Sequence, residues 1–341
     1  MSQKTPNRLL AVGWSDRVQA LFATLADDSL VPARVVGVER GWCRVVTPSA
    51  ERLLPVPGMA VGDWVGLDGD QIGEVLPRWS ILGRLGPEGE RQALAVNIDL
   101  ILITAPGDRI SLSRVERELV MAWDSGARPV VVLTKIDLAP PGVADQLTTR
   151  LGAVDVVETS SLVGSGLDEL RVLLVQPLTA ALLGPSGAGK STLINALLGE
   201  NRLSVGAVRE EDSRGRHTTS SRQLVALPSG GSVVDMPGLR SLGTDASEGA
   251  VAAAFPDIDE LAADCRFSDC AHQVEPGCAV TEAAAHGGLD PARLDSYRKL
   301  LRETAFERRR TDPLAQADEA RIWKARTKAT RKASRDRGRD R

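Results

Sequence analysis

Eight residues constrain this chain more than any others. Gly184-Pro185-Ser186-Gly187-Ala188-Gly189-Lys190-Ser191 fits G-x-x-x-x-G-K-[ST], the phosphate-binding loop. The apolar run Ala180-Ala181-Leu182-Leu183 leads in, and a helical stretch beginning at Thr192 leads out. Strand, Gly-rich turn and helix are the context in which the motif works. Glycines let backbone N–H groups close around a phosphate chain, and the helix N-terminus adds partial positive charge. Lys190 is expected on the β- and γ-phosphates and Ser191 on Mg²⁺, with Lys190 counted among the catalytic groups. The rest of the loop and Thr192 complete the expected nucleotide contacts.

The base is addressed elsewhere. Leu112 to Ser125 reads as an amphipathic helix with Val115, Leu119 and Ala122 on one face. Buried-strand patterns precede and follow it, at Asn97–Ile103 and Pro129–Leu133. At the end of the second comes Thr134-Lys135-Ile136-Asp137, which resembles the [NT]-K-x-D motif of GTPases. Asp137 is placed to accept from guanine N1–H and the 2-amino group. Adenine offers neither donor, and an unpaired carboxylate is costly, so GTP is favoured over ATP. Thr134 stands where Asn is commoner. Ser160 and Ser161 lie in a polar loop after Val154–Glu158 and are expected to support the base.

Two further motifs follow the phosphate loop. Arg214-Gly215-Arg216-His217-Thr218-Thr219 is polar and aperiodic, and Thr218 or Thr219 is expected on Mg²⁺ as the switch threonine. Asp235-Met236-Pro237-Gly238 matches D-x-P-G, with Asp235 expected on Mg²⁺ through water and the Gly238 N–H on the γ-phosphate. The next residue is Leu239, not a glutamine that would orient water. His217 is the catalytic candidate in its place; the alternative is a loop histidine that only positions backbone. In ordinary GTPases the base motif comes last. Here it comes first, so the domain is circularly permuted, and the chain leaves Gly238 for a C-terminal domain.

That domain contains Cys265, Cys270, His272 and Cys278 in the spacing C-x4-C-x-H-x5-C. Three thiolates and an imidazole predict one closed, structural Zn²⁺ site. Cys43 reads as a buried bystander and His286 as a surface or helix residue.

Short β-rich runs punctuated by Gly and Pro fill Pro32 to Leu85 and suggest an OB-fold barrel, either RNA-binding or purely structural. Trp42 and Trp64 are read as core. The charge is uneven: Arg298–Arg341 carries 16 Lys/Arg against 7 Asp/Glu, a net +9 in a chain whose total is −3. Such a basic arm contacts nucleic acid or aids solubility. Aromatic content of 3% argues against a broad stacking platform. No apolar run approaches the roughly 20 residues of a membrane span, and Met1–Pro6 lacks an apolar signal core. The expectation is a cytoplasmic monomer without membrane contact.

The permuted order, the R-H-T-T and D-x-P-G motifs and the Cys/His spacing together resemble the family of small-ribosomal-subunit-dependent GTPases called RsgA or YjeQ. The resemblance covers roughly residues 32 to 310, with Val61-Gly62-Asp63-Trp64-Val65 fitting the family's N-terminal OB-fold. It implies a late-stage 30S assembly factor that binds GTP and 16S rRNA and whose hydrolysis the subunit stimulates. The expected fold is multidomain α/β. It comprises an N-terminal extension (1–31), an OB-fold β-barrel (32–88), a central circularly permuted P-loop GTPase domain (89–244), a C-terminal α-helical zinc-binding domain (245–315) and a basic tail (316–341). The alternatives are an RNA-binding module with a passive GDP/GTP switch and, opposed by Asp137, a P-loop ATPase.

Overall fold

The structure, a computed structural model, describes residues 7–39, 41–55, 58–85, 90–152, 154–200, 222–236 and 246–311. His217, Thr218, Thr219, Gly238 and the basic tail (316–341) lie outside the described residues.

The first described residues form two short helices, α1 (Asn7–Ala11) and α2 (Asp16–Phe22). Ser15 caps α2, its Oγ accepting from the Val18 N–H at 3.3 Å. Leu9, Val12, Trp14 and Val18 are buried, and Trp14 meets Trp64 edge-on at 5.5 Å between ring centroids.

Five strands follow: β1 (Val31–Glu39), β2 (Trp42–Val46), β3 (Glu51–Leu54), β4 (Trp64–Asp68) and β5 (Gln71–Val75). They pair antiparallel in the order β3-β2-β1-β4-β5. β1 is the long member. Its first half pairs with β4 and its second with β2, and the register shifts between Val35 and Gly37. Ala33, Val35, Cys43, Val45, Leu54, Val65 and Leu67 form the module's own core. Among the described residues β3 and β5 are not paired with each other. Trp64 is core at 1% exposure, but Trp42 is not: it is 46% exposed. At the first position of β2 it pairs with Glu39 of β1 alone, because the pairing with β3 starts at Cys43, and β-propensity does not reveal this. β6 (Ile81–Leu85) and β7 (Arg91–Val96) form a separate antiparallel hairpin.

The nucleotide sheet is built from β8 (Leu100–Pro106), β9 (Arg128–Thr134), β10 (Asp155–Glu158), β11 (Thr179–Leu183), β12 (Arg222–Ala226) and β13 (Ser232–Asp235). Its order is β10-β9-β8-β11-β13-β12, parallel except for β12. Connections are α3 (Leu112–Ser125), a 3₁₀ turn at Ile136–Leu138, α4 (Val143–Leu151), α5 (Leu167–Leu173) and α6 (Lys190–Leu198). Side chains alternate across β8 and β9. Ile101, Ile103, Val131 and Leu133 share one core with Val115 and Leu119 of α3. Leu100, Leu102, Val130 and Val132 share the opposite one with Leu193, Ile194 and Leu197 of α6. Both faces are covered, as parallel sheets require. β12, which sequence patterning missed, joins the two halves: it pairs with β13 on one edge and with β1 on the other, through Gly37↔Gln223 and Val38↔Arg222.

The C-terminal part is helical: α7 (Glu248–Ala254), α8 (Pro256–Ala262), α9 (Ala279–Ala285) and α10 (Pro291–Thr311). It docks on α3 and α4. Arg293 of α10 donates to both carboxylate oxygens of Asp257, at 2.6 Å each, and to Glu116 of α3 at 3.1 Å. Arg150 of α4 donates to the same Glu116 oxygen and to Asp290.

Candidate functional site

The carboxyl ends of β9, β8, β11 and β13 open onto one edge of the sheet, where α/β proteins gather their ligand-binding loops. Every described residue of the sequence-expected nucleotide set lies at that edge, Thr134 and Asp235 as the last residues of β9 and β13 and the others in the loops and helical turns that follow the strands.

The phosphate loop connects β11 to α6. Gly184 has φ +139°, and a Cβ there would stand 2.1 Å from Thr104 Oγ1, so only glycine lets the loop leave the strand. The neighbouring Thr104 hydroxyl donates to Leu183 O at 2.8 Å and fixes the strand end. Ser186 and Gly187 are exposed, Pro185 is half-buried and Ala188 is buried. Gly189 caps α6, and Lys190, Ser191 and Thr192 form the first turn, all half-buried. Lys190 turns back over the loop, Nζ donating to Gly184 O at 2.7 Å and Pro185 O at 2.8 Å. Burial pushes its ammonium below the usual lysine range, with Glu118 of α3 opposing. Burial in turn raises the Glu118 carboxyl against its ion pair with Arg114, 2.9 Å away. Arg114 and Glu118 had no signal in the sequence; they belong to the polar side of a helix whose apolar face dominates the pattern.

The base motif stands beside the loop and is tied to it. The Thr134 hydroxyl is buried and donates to Ala188 O at 2.7 Å. A threonine at this position thus links β9 to the phosphate loop directly. Lys135 adopts the left-handed conformation, φ +55°, uncommon for a non-glycine residue and concentrated at functional sites. Asp137 is exposed in the 3₁₀ turn that follows. Ile136 N–H donates to Thr159 O at 3.1 Å, which brings the Thr159–Ser161 loop against the motif. Ser160 is buried, Ser161 is half-buried, and the Ser160 N–H donates to Ser165 O at 3.1 Å.

Asp235 ends β13, two strands from the base motif's neighbour β8. Burial raises its carboxyl, and the Lys190 charge pulls it back down. A half-buried carboxylate and a half-buried ammonium at one edge of the sheet are the groups that an anionic phosphate chain and a divalent cation would compensate.

A second cluster lies in the C-terminal helices. Cys265, Cys270, His272 and Cys278 present ligand atoms all within 4.8 Å of one another. Cys265 Sγ and Cys278 Sγ each lie 3.5 Å from His272 Nδ1 and 3.9 Å from each other. Bond lengths of about 2.3 Å to sulfur and 2.0 Å to nitrogen give tetrahedral edges of about 3.5–3.8 Å, so the donors fit one metal ion. His272 is left-handed at φ +54°, and Arg298 of α10 braces it by donating Nε to His272 O at 2.8 Å. Cys278 also caps α9, its sulfur accepting from Thr281 N–H. Cys43, by contrast, is fully buried in the N-terminal module, and His286 is exposed at the end of α9.

A family model described as RsgA GTPase matches residues 75–245. A small ribosomal subunit biogenesis GTPase RsgA of Streptomyces avermitilis is 44% identical over 337 residues, covering 93% of this chain and 91% of its own. The chain belongs to the RsgA GTPase family. Its counterparts in Streptomyces coelicolor and Opitutus terrae, of the same description, are 42% and 41% identical over 95% and 93% of this chain. An ABC transporter model also matches residues 167–328, a span that contains the phosphate loop. Among solved structures, YjeQ from Thermotoga maritima superposes with TM-score 0.59 at 24% identity, covering 80% of this chain and 98% of its own. YloQ, described as a circularly permuted GTPase, gives 0.57 at 23% identity, over 82% and 96%. In this chain β9, which ends at Thr134, precedes β11 and the phosphate loop in sequence, and β13 follows them.

Proposed function

We propose that this RsgA-family GTPase acts in assembly of the small ribosomal subunit, hydrolysing GTP at the β9–β11–β13 edge when it meets that particle. The observation that carries the nucleotide assignment is the 2.7 Å bond from Thr134 to Ala188. It couples a guanine-selecting motif to a phosphate loop, so base and phosphates are recognised by one rigid unit. The small-subunit assignment rests on relatives of that description that align over more than nine-tenths of the chain.

In this reading Asp137 accepts from the guanine edge, Lys135 lies along the base, Thr134 locks the motif to the loop, and Ser160 and Ser161 support the base. Residues Gly184 to Thr192 wrap the phosphates, and Lys190 exchanges its two carbonyl partners for phosphate oxygens. Ser191 and Asp235, with Thr218 or Thr219, would hold Mg²⁺, which when bound neutralises charge on the β- and γ-oxygens. The Gly238 N–H meets the γ-phosphate, and His217 orients the water in place of the glutamine that Leu239 replaces. Cys265, Cys270, His272 and Cys278 hold one structural Zn²⁺. Strands β1–β5 form an OB-type module facing rRNA together with the basic tail, on a monomer working in the cytoplasm.

The test is GTP turnover by the purified full chain alone and with 30S, 50S and 70S particles. The expected result is a slow basal rate raised at least about tenfold by 30S, the size of effect that completing a catalytic site brings. Equal rates with every particle would remove the small-subunit assignment. Binding without turnover under all conditions would leave a passive nucleotide switch on an RNA-binding module.

A further inference from the structure

The crevice where the sheet's connections diverge holds one more cation. β8 leads to α3 on one face and β11 to α6 on the other, so these neighbouring strands flank the topological switch point at which open α/β sheets bind ligands. The turn after β8 is Pro106-Gly107-Asp108-Arg109. It is anchored twice, Arg109 N–H donating to Pro106 O at 3.0 Å and Gly107 N–H to Thr134 O at 2.8 Å. Thr134 is itself bonded to Ala188, so the root of Arg109 is fixed relative to the phosphate loop.

The guanidinium reaches over that loop. Its Nη2 lies 3.9 Å from the point where a Cβ on Gly187 would stand. Gly187 is left-handed at φ +77° and puts no side chain between the guanidinium and the loop backbone. The ion pair Arg109 makes is a loose one, Nε to Asp108 Oδ2 at 3.8 Å, beyond direct hydrogen bonding, and the side chain is 67% exposed. Among the described residues no acceptor lies closer to its planar fork of donors, and that fork suits phosphate oxygens. Strand order says which phosphates. From β9 through β8 and β11 to β13 the edge runs from the base motif to Asp235. A group projecting from the β8 turn falls between the base and the γ-phosphate end.

We propose that Arg109 is a phosphate-binding residue that clasps the base-proximal part of the phosphate chain against Gly187, in GDP and GTP alike. This rests on the reading of residues 184–191 as the nucleotide site. The experiment measures equilibrium binding of fluorescent GDP, GTP and IDP to full-length wild-type protein, Arg109→Ala and Arg109→Lys. Losing a charge-assisted contact should weaken GDP and GTP by about tenfold or more, with Arg109→Lys recovering part of the loss. The preference for GDP over IDP reads the base contact alone and stays at its wild-type value. A loss of less than about threefold in Arg109→Ala would overturn the proposal. So would a collapse of the GDP/IDP preference, which would make Arg109 a prop for the base pocket. Wild-type protein that bound none of the three would instead sink the nucleotide-site reading, and the proposal with it.

Discussion

Arg34 and Arg293 are both withdrawn from water. One is 1% exposed in the joint between the N-terminal strands and the nucleotide sheet, the other 2% exposed in the joint between that sheet and the C-terminal helices. Each lies over an aromatic ring, Trp64 at 4.9 Å and Phe255 at 4.6 Å. Their hydrogen-bond partners differ in kind. Arg34 donates to neutral acceptors: Val12 O, Asn97 O at 3.1 Å and Thr179 Oγ1 at 2.8 Å. Its Nε has no partner among the described residues, and burial lowers its pKa to about 10 against the pull of Asp99 and Asp63. Arg293 instead holds two carboxylates, and one of them, Glu116, is shared with Arg150. The first joint spends a charge on packing three chain segments together. The second is a network whose members compensate one another, so each is tolerable only while the others are present.

That difference sets the largest expected effect. Arg293→Met leaves Glu116, fully buried, with Arg150 alone, and strips both hydrogen bonds from Asp257. Breaking a buried pair from one side costs about 3–5 kcal/mol. Urea unfolding of the variant should show a loss of that size, with the C-terminal helices losing amide protection first. Arg34→Met should cost less, about 1–3 kcal/mol. Three acceptors lose a donor, but no carboxylate is stranded at hydrogen-bond distance, since Asp63 keeps its two 2.7 Å bonds to Arg78. A loss in Arg34→Met equal to that in Arg293→Met would break the comparison and show that desolvated cations matter here irrespective of their partners.

Neither joint was legible in the sequence, and the reason is physical. The nucleotide edge announces itself because its loops must have particular residues at fixed spacing: Gly184 where a Cβ would strike Thr104, Lys190 at the head of α6, Asp137 three residues after Thr134. The metal cluster is legible for the same reason, four donors within fourteen residues. Arg34, Glu116 and Arg293 are brought together only by tertiary packing across long stretches of chain, and a buried arginine reads in sequence as an exposed one. Trp42 fails in the opposite sense. Its aromatic character suggested core, yet it lines an open groove together with Gly37, Glu39, Arg44, Leu53 and Arg222, and Leu53 there is itself exposed. β12 was missed because Arg222-Gln223-Leu224-Val225-Ala226 buries only Leu224 and Val225 on its way between two other strands. Circular permutation, by contrast, is a property of motif order and needs no contacts to be seen.

The smallest effect separates the joints by pH. Asp290 is held below the usual carboxylate range, first by the Ala292 N–H and then by Arg150. Its contribution is therefore complete above the unfolded value near 3.9 and is lost as pH falls through the lower folded value. Asp99, beside Arg34, is shifted the other way: burial raises it, against Thr179 N–H and Arg34. A carboxyl with a raised folded pKa binds its proton more tightly when folded, so its local contribution grows as pH falls through that value. Acidification should thus loosen the C-terminal joint while firming the N-terminal one. Hydrogen exchange stepped from pH 6 down to about pH 2, below the unfolded carboxylate value and corrected for intrinsic rates, should show α10 losing protection before β1 and β8. Loss of protection in β1 first would mean that the N-terminal joint depends on an ionised Asp99 facing Arg34, and the contrast between a neutral and an ionic joint would fall.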